Sequence, residues 1–331
     1  MEPRVGYTAA LERTDPREAV ELAEFAQDHG FAGTLTTDHF QPWLTSQAQS
    51  PFVWNVLTAV GERTSGEFGP GMAVPGYRYH PAVVAQASAT LAAMYPGRHW
   101  LGIGSGEALN EHVTATYWPE APERINRMFE ALDLIKRLFS ASISGKDIKY
   151  DGTYYRMESA RLWTMPDTAP PLLVATGGPV TAHKAGKRAD GLVTVGASYE
   201  QAAHVLDRFV TGAREAGKDP DGLKKFVHLT ISWAPTDGQA IANAVEGWPM
   251  GGMRFAKGDL RSPHVISQIA KLVRAEDMEG RLIMSQDPDA HRAHIQRYLD
   301  LGFDRVYLHN VGPNQREWIT TFGSDVLPYL T

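Results

Sequence analysis

The sequence has no cysteine. That excludes disulfides and thiolate catalysis, and it leaves any zinc site to imidazoles and carboxylates. A chain built without cysteine fits a reducing cytoplasm. No apolar run approaches the roughly 18 residues a membrane helix needs. The opening Met-Glu-Pro-Arg has neither a basic stretch nor an apolar core, so no signal peptide is expected. Positive charge is not in excess: 32 Lys and Arg face 38 Asp and Glu, and the net charge of −6 argues against nucleic acid as a partner. Four motifs are also missing: G-x-S-x-G, H-E-x-x-H, the Walker A loop and G-x-G-x-x-G. Serine hydrolase chemistry, a zincin site and a Rossmann dinucleotide fold are therefore not expected. No repeat, low-complexity tract or linker divides the chain, which reads as one domain over residues 1–331.

What is present alternates. Short apolar runs at Arg4–Ala10, Phe31–Thr37, Phe68–Val74, His99–Gly104, Pro171–Thr176, Gly191–Val195, Phe226–Trp233 and Arg305–His309 read as strands. Helical patterns fall between them. The first is opened by Asp15-Pro16-Arg17-Glu18, with Asp15 as cap and Pro16 at N1, and is stopped by Gly30. Further helices are expected at Phe52–Arg63, Ala82–Met94, Pro122–Phe139, Tyr199–Ala216, Pro288–Leu301 and Gln315–Leu330. Strand–helix alternation implies a parallel sheet, and eight such units without a dinucleotide fingerprint favour a closed (β/α)8 barrel. Two insertions interrupt the rhythm. One lies near 141–170, where Asp151-Gly152 signals a hairpin. The other lies near 234–285 and holds at least two helices.

Two polar clusters follow predicted strands, which is where α/β folds place their chemistry. Thr37-Asp38-His39-Phe40-Gln41-Pro42-Trp43 follows the second strand. As an imidazole, His39 can take or give a proton, or can simply bond a loop carbonyl. Asp38 can orient that imidazole, accept from a ligand or cap a turn. Trp43 can wall a pocket or anchor the core. Gly104-Ser105-Gly106-Glu107-Ala108-Leu109-Asn110-Glu111 follows the fourth strand. Its glycines allow a ligand close to the backbone, and Glu107 is either a site carboxylate or a solvated helix cap. Gly177-Gly178-Pro179 opens a helix whose free amides suit a phosphate. His291 and His294, three residues apart on a helix of mixed polarity, read as surface residues. No metal site is expected.

Together with Tyr77-Arg78-Tyr79-His80-Pro81 and Ala175-Thr176-Gly177-Gly178-Pro179, these two clusters resemble the deazaflavin-dependent (F420-dependent) glucose-6-phosphate dehydrogenases, a family of luciferase-like (β/α)8 barrels. The resemblance runs from Val5-Gly6-Tyr7 to Asp325-Val326-Leu327. It implies an oxidoreductase that uses coenzyme F420, with Asp38, His39, Val74, Ser105, Gly106, Asn110, Gly177, Gly178, Val180 and Thr181 at the cofactor. It also implies a non-prolyl cis peptide between Gly71 and Met72 behind the ring. His39 would take the proton from the C1 hydroxyl of a sugar 6-phosphate as hydride leaves for C5 of the deazaflavin. Glu107 would act near N1 of the ring, and Trp43 and Glu12 would line the reacting centre. Lys257 and Arg281 match two cations of the substrate-phosphate pocket. The third lysine is Ser198 here and a neighbouring threonine is Val195. The substrate implied is therefore a sugar phosphate or, given those departures, an unphosphorylated sugar or alcohol. The family implies a cytoplasmic enzyme of carbohydrate metabolism that forms a homodimer. A luciferase-like FMN monooxygenase and a non-catalytic deazaflavin-binding barrel are the competing readings.

Overall fold

Helix starts are written locally. The Asp15 carboxylate accepts from the amides of Arg17 and Glu18, and Pro16 occupies N1, where a missing N–H costs nothing. His80 does the same before Pro81, its ring accepting from the Ala82 amide. The computed structural model describes residues 3–331. In chain order its strands are β1 (Val5–Ala9), β2 (Gly33–Thr36), β3 (Glu67–Pro70), β4 (Leu101–Ile103), β5 (Ile148–Asp151), β6 (Arg156–Ala160), β7 (Leu172–Ala175), β8 (Gly191–Val195), β9 (Lys224–Trp233), β10 (Ile283–Ser285) and β11 (Arg305–Asn310). Its helices are α1 (Pro16–Asp28), α2 (Val53–Arg63), α3 (Pro81–Met94), α4 (Ala108–Glu111), α5 (Ala121–Ile143), α6 (Pro179–Arg188), α7 (Tyr199–Glu215), α8 (Asp237–Gly247), α9 (Pro263–Ala270), α10 (Ala275–Met278), α11 (Pro288–Asp300) and α12 (Gln315–Asp325).

Eight strands pair in parallel in the order β3-β2-β1-β11-β9-β8-β7-β4. Bridges from Phe68 to His99 and from Ala73 to Ile103 join β3 to β4 and close the ring. The result is the (β/α)8 barrel that the alternation predicts. Leu35, Trp100, Leu173, Val193, Phe226 and Tyr307 pack together inside it. Strand side chains alternate between faces. Two residues further on, Thr37, Ala175, Val195 and His228 therefore form the next inward layer at the C-terminal mouth.

Four features differ from the sequence reading. The short strand β10 pairs with β9 outside the ring, and its three residues, only two of them apolar, are too few to stand out in a sequence pattern. The last helix stops at Asp325, and a 3₁₀ turn, Leu327–Tyr329, carries Pro328, which cannot continue an α-helix. No peptide bond is cis among the described residues. The chain passes behind the cavity in trans at Gly71-Met72, with the Gly71 amide on the Thr36 carbonyl at 2.7 Å and the Ala73 amide on the Gly102 carbonyl at 2.8 Å. His291 is fully buried, its Nε2 2.9 Å from the Ser285 carbonyl and its ring against Phe322, and His294 packs on Tyr298. The reason is helical phase: His291, Ile295, Tyr298 and Leu299 share one face of α11, and that face is the buried one.

Candidate active site

The two polar clusters are bound to one another. Asn110 Oδ1 accepts from the backbone amides of Phe40 (2.9 Å) and Gln41 (3.2 Å), and Gln41 Nε2 donates to the Leu109 carbonyl at 2.8 Å. With Oδ1 so occupied, the amide nitrogen of Asn110 must face His39, and it lies 3.2 Å from Nδ1. The Gln41 carbonyl lies 3.2 Å from the same nitrogen. Nδ1 thus has a donor on one side and an acceptor on the other. When Nδ1–H donates to Gln41, Nε2 keeps a free lone pair, which is the form a general base requires. Trp43 packs its ring 5.6 Å from His39 and joins a buried cluster with Leu44, Leu109, Met250 and Met253, so it supports the imidazole from behind.

Glu107 is reached through Gly106, whose φ of +84° favours glycine; a Cβ there would also sit 2.8 Å from Val74. Glu107 is the N-cap residue of α4, yet its side chain caps nothing. Its Oε2 is buried with no hydrogen-bond partner among the described residues. Burial pushes the carboxyl above its ordinary pKa, partly offset by His39 and Lys257 and reinforced by Glu12. Burial of this kind favours the neutral, proton-bearing carboxyl over the carboxylate. Glu12 is itself buried, with Oε2 accepting from the Thr37 hydroxyl at 2.6 Å.

Asp38 lines the cavity, but its carboxylate is bonded to Arg78 rather than to His39. Both oxygens are held by Arg78, at 3.0 and 2.9 Å, with the Tyr79 hydroxyl at 3.4 Å from each. Arg78 Nε also lies 3.2 Å from Glu111, and all three side chains are nearly solvent-free. Burial raises Glu111 to about 7 despite the guanidinium. This ion cluster clamps the end of β2, the loop before α3 and α4 together. Tyr77-Arg78-Tyr79-His80-Pro81 was visible as a motif in the sequence, but nothing local assigned Arg78 a partner.

A cavity of about 400 Å³ opens at the C-terminal end of the barrel. It is lined by Asp38, His39, Gly71, Met72, Val74, Ser105, Gly106, Glu107, Asn110, Gly177, Thr181 and Val195, all expected, and by His228, which the sequence reading did not single out. Gly178 caps α6, but its amide is taken by the Thr176 hydroxyl at 3.1 Å, and the Val180 side chain points to solvent. The helix's own first-turn amides lack intrahelical acceptors and form its anion-facing end. Ser198 caps α7 and lines, with Arg281, a separate cleft of about 380 Å³. Lys257 donates to the Met253 carbonyl at 3.1 Å, and its ammonium is disfavoured by desolvation and then by Arg281. Among the described residues no group of three or more His, Asp or Glu is arranged to hold a metal, and no helix is long and apolar enough to cross a membrane.

Comparison with known proteins defines the class first. The family model described as luciferase-like monooxygenase matches residues 2–305. The F420-dependent glucose-6-phosphate dehydrogenase of Mycobacterium avium is 35% identical over 336 residues, covering 99% of this chain and 98% of its own. That of Tsukamurella paurometabola is 36% identical over 332 residues, covering 99% and 98%. Among solved structures, an F420-dependent secondary alcohol dehydrogenase in complex with an F420-acetone adduct superposes with a TM-score of 0.92 at 30% identity, covering 98% of each chain. The coenzyme F420-dependent tetrahydromethanopterin reductase of Methanopyrus kandleri, at 21% identity and a TM-score of 0.81 over the full length of both chains, shares the fold. The chain belongs to the luciferase-like monooxygenase family and, within it, to the F420-dependent glucose-6-phosphate dehydrogenase family.

The cavity suits a deazaflavin on its own evidence. Leu35, Met72, Val74, Ala175 and Val193 supply apolar walls for a flat ring. A Cβ built at Gly177 would make only ordinary contacts, 3.7 Å from Gln201 and from Val195, so the backbone there is not crowded beside the start of α6. The buried, unpartnered Glu107 oxygen needs a polar group that the described protein residues do not supply.

Proposed function

We propose that this chain is a coenzyme F420-dependent dehydrogenase that oxidises a hydroxyl-bearing carbon, of a sugar 6-phosphate or a related sugar, on one barrel domain. The observation that carries the reading is the convergence of His39, whose Nδ1 lies 3.2 Å from the Gln41 carbonyl, and the buried, unpartnered Glu107 carboxyl on one apolar-walled cavity. Bound coenzyme F420 supplies a two-electron hydride acceptor and no one-electron or oxygen chemistry. The chain does the rest. His39 Nε2 takes the hydroxyl proton, while Nδ1–H, donating to the Gln41 carbonyl, holds the ring in position. Glu107 places a proton donor in a water-poor pocket. Thr181, Ser105 and the first turn of α6 hold the cofactor. Trp43 keeps solvent from the far side of His39. The protein acts as a soluble homodimer in the cytoplasm.

For the substrate, Arg281 and Lys257 are close enough that one disfavours the other's charge, as expected of two cations awaiting an anion. Val195 and Ser198 favour a second reading, an uncharged sugar or alcohol. Val195 presents a half-exposed apolar side chain to the cavity, and Ser198 is engaged in capping α7. The test is to titrate the protein with coenzyme F420 and then screen glucose 6-phosphate, glucose and 2-propanol for bleaching of the deazaflavin absorbance. Binding of coenzyme F420 with turnover of any of the three supports the dehydrogenase. Turnover with NADP in place of coenzyme F420 refutes it.

A further inference from the structure

Resting on that dehydrogenase reading, we propose that His228, backed by His309, holds a second hydroxyl of the substrate and selects polyhydroxylated substrates over simple alcohols. His228 lies on β9 in the inward layer at the barrel mouth and lines the cavity, while its Nε2 has no partner among the described residues. Its neighbour across the sheet on β11 is the buried His309, whose Nε2 is equally unpartnered. The two rings stack at 5.7 Å with planes 27° apart. His309 is pinned edge-on by Trp248 at 5.4 Å, and Trp248 meets Trp43, which meets His39. One wall of aromatic rings therefore runs from His39 to His228.

Buried polar atoms are almost always paired, so an unpartnered imidazole at the cavity wall, backed by a second one, points to a missing partner. That partner is not a metal, since no third ligand accompanies them among the described residues. Nor is it an anion. Burial lowers the pKa of His228 to about 4 and holds that of His309 well below its ordinary value, so both rings are neutral at physiological pH. A neutral imidazole offers one N–H and one lone pair, the same two roles that a hydroxyl offers in return. Register adds the final point. His228 is the Cα partner of Val195 on the adjacent parallel strand, so both side chains face the same side. His228 therefore stands beside the apolar Val195 as a hydrogen-bonding group of the same inward layer.

The experiment compares wild type, His228→Phe and His228→Gln, each full length, with and without coenzyme F420. Calorimetric titration with glucose and with 2-propanol is read beside deazaflavin fluorescence for the cofactor. The expected result is that His228→Phe weakens glucose at least ten-fold, leaves 2-propanol and coenzyme F420 within two-fold, and is partly rescued by His228→Gln. Equal glucose binding by wild type and the Phe variant overturns the proposal, as does a wild type that binds no glucose in either state. If His228→Phe does not fold, the ring nitrogen resonances of wild-type His228 are followed by NMR during the glucose titration, and unmoved resonances overturn it. Failure of the dehydrogenase reading is separate, because it shows as absent coenzyme F420 binding.

Discussion

Replacing Arg78 with Met is the most demanding test of how the site is held. The methionine keeps the stem and removes the guanidinium. Two carboxylates then lose their cation where water cannot replace it: the Asp38 and Glu111 side chains are 1% and 0% exposed, and Arg78 itself is 6% exposed. Breaking a buried ion pair from one side costs about 3–5 kcal/mol, or roughly two to nearly four powers of ten in the folding constant. Most of that falls on Asp38, which makes the two-point contact with Arg78, because Glu111 already titrates near 7. The loss has a pH signature. Glu111, already raised to about 7, is then left without its opposing cation. The penalty of stranded buried charge is fully present above the folded-state pKa and shrinks as pH falls toward the unfolded carboxyl value of roughly 4. Denaturant unfolding of wild type, Arg78→Met and Arg78→Met/Asp38→Asn at pH 5 and 7.5 reads all of this. The double variant removes the stranded charge and should regain at least half of the loss. A single variant within about 1 kcal/mol of wild type at pH 7.5, or a double variant no more stable than the single, refutes the account.

His39→Asn should lower turnover by about 10²–10⁴-fold while coenzyme F420 affinity stays within ten-fold; full activity would place the base elsewhere, with Glu107 next. Glu107→Gln should gain stability over wild type at pH 8 but not at pH 4. The raised carboxyl of the folded state holds a proton that the unfolded chain has released, so its cost grows as pH rises from about 4.3 through the folded pKa. Mild acid should already destabilise the protein. His99 is depressed to about 3, and His291 and His294 to about 4, so stability is lost as pH falls from about 6.5 toward those values. A flat denaturant midpoint between pH 7 and 5 would contradict this. For substrate phosphate, Arg281→Ala should raise KM for glucose 6-phosphate about ten-fold and leave glucose unchanged, while Ser198→Lys should lower it. Identical shifts for both sugars would remove the phosphate clamp.

Local chemistry was legible in the sequence wherever one segment decides its own state. Asp15-Pro16 starts α1 because the cap and the fixed φ are properties of four consecutive residues. The eight barrel strands show because each is an apolar run buried on both faces, and the positions of the two polar clusters follow from the strand ends. His39, Glu107, Asn110 and the glycines at 106 and 177 could be named on that basis, and they do meet at one cavity. What the sequence could not supply was every relation between distant segments. Asp38 sits next to His39 in the chain, but Arg78, 40 residues away, claims it, because a buried carboxylate takes the strongest cation in reach. His291 looked exposed until α11 turned its face inward. His228 and His309 were two unremarked histidines 81 residues apart, and only closure of the barrel stacks them beside the cavity. Periodicity and capping are local and survive reading one residue at a time. Burial and charge pairing are set by whichever groups the closed fold brings together, and for this chain the tertiary structure alone decided them.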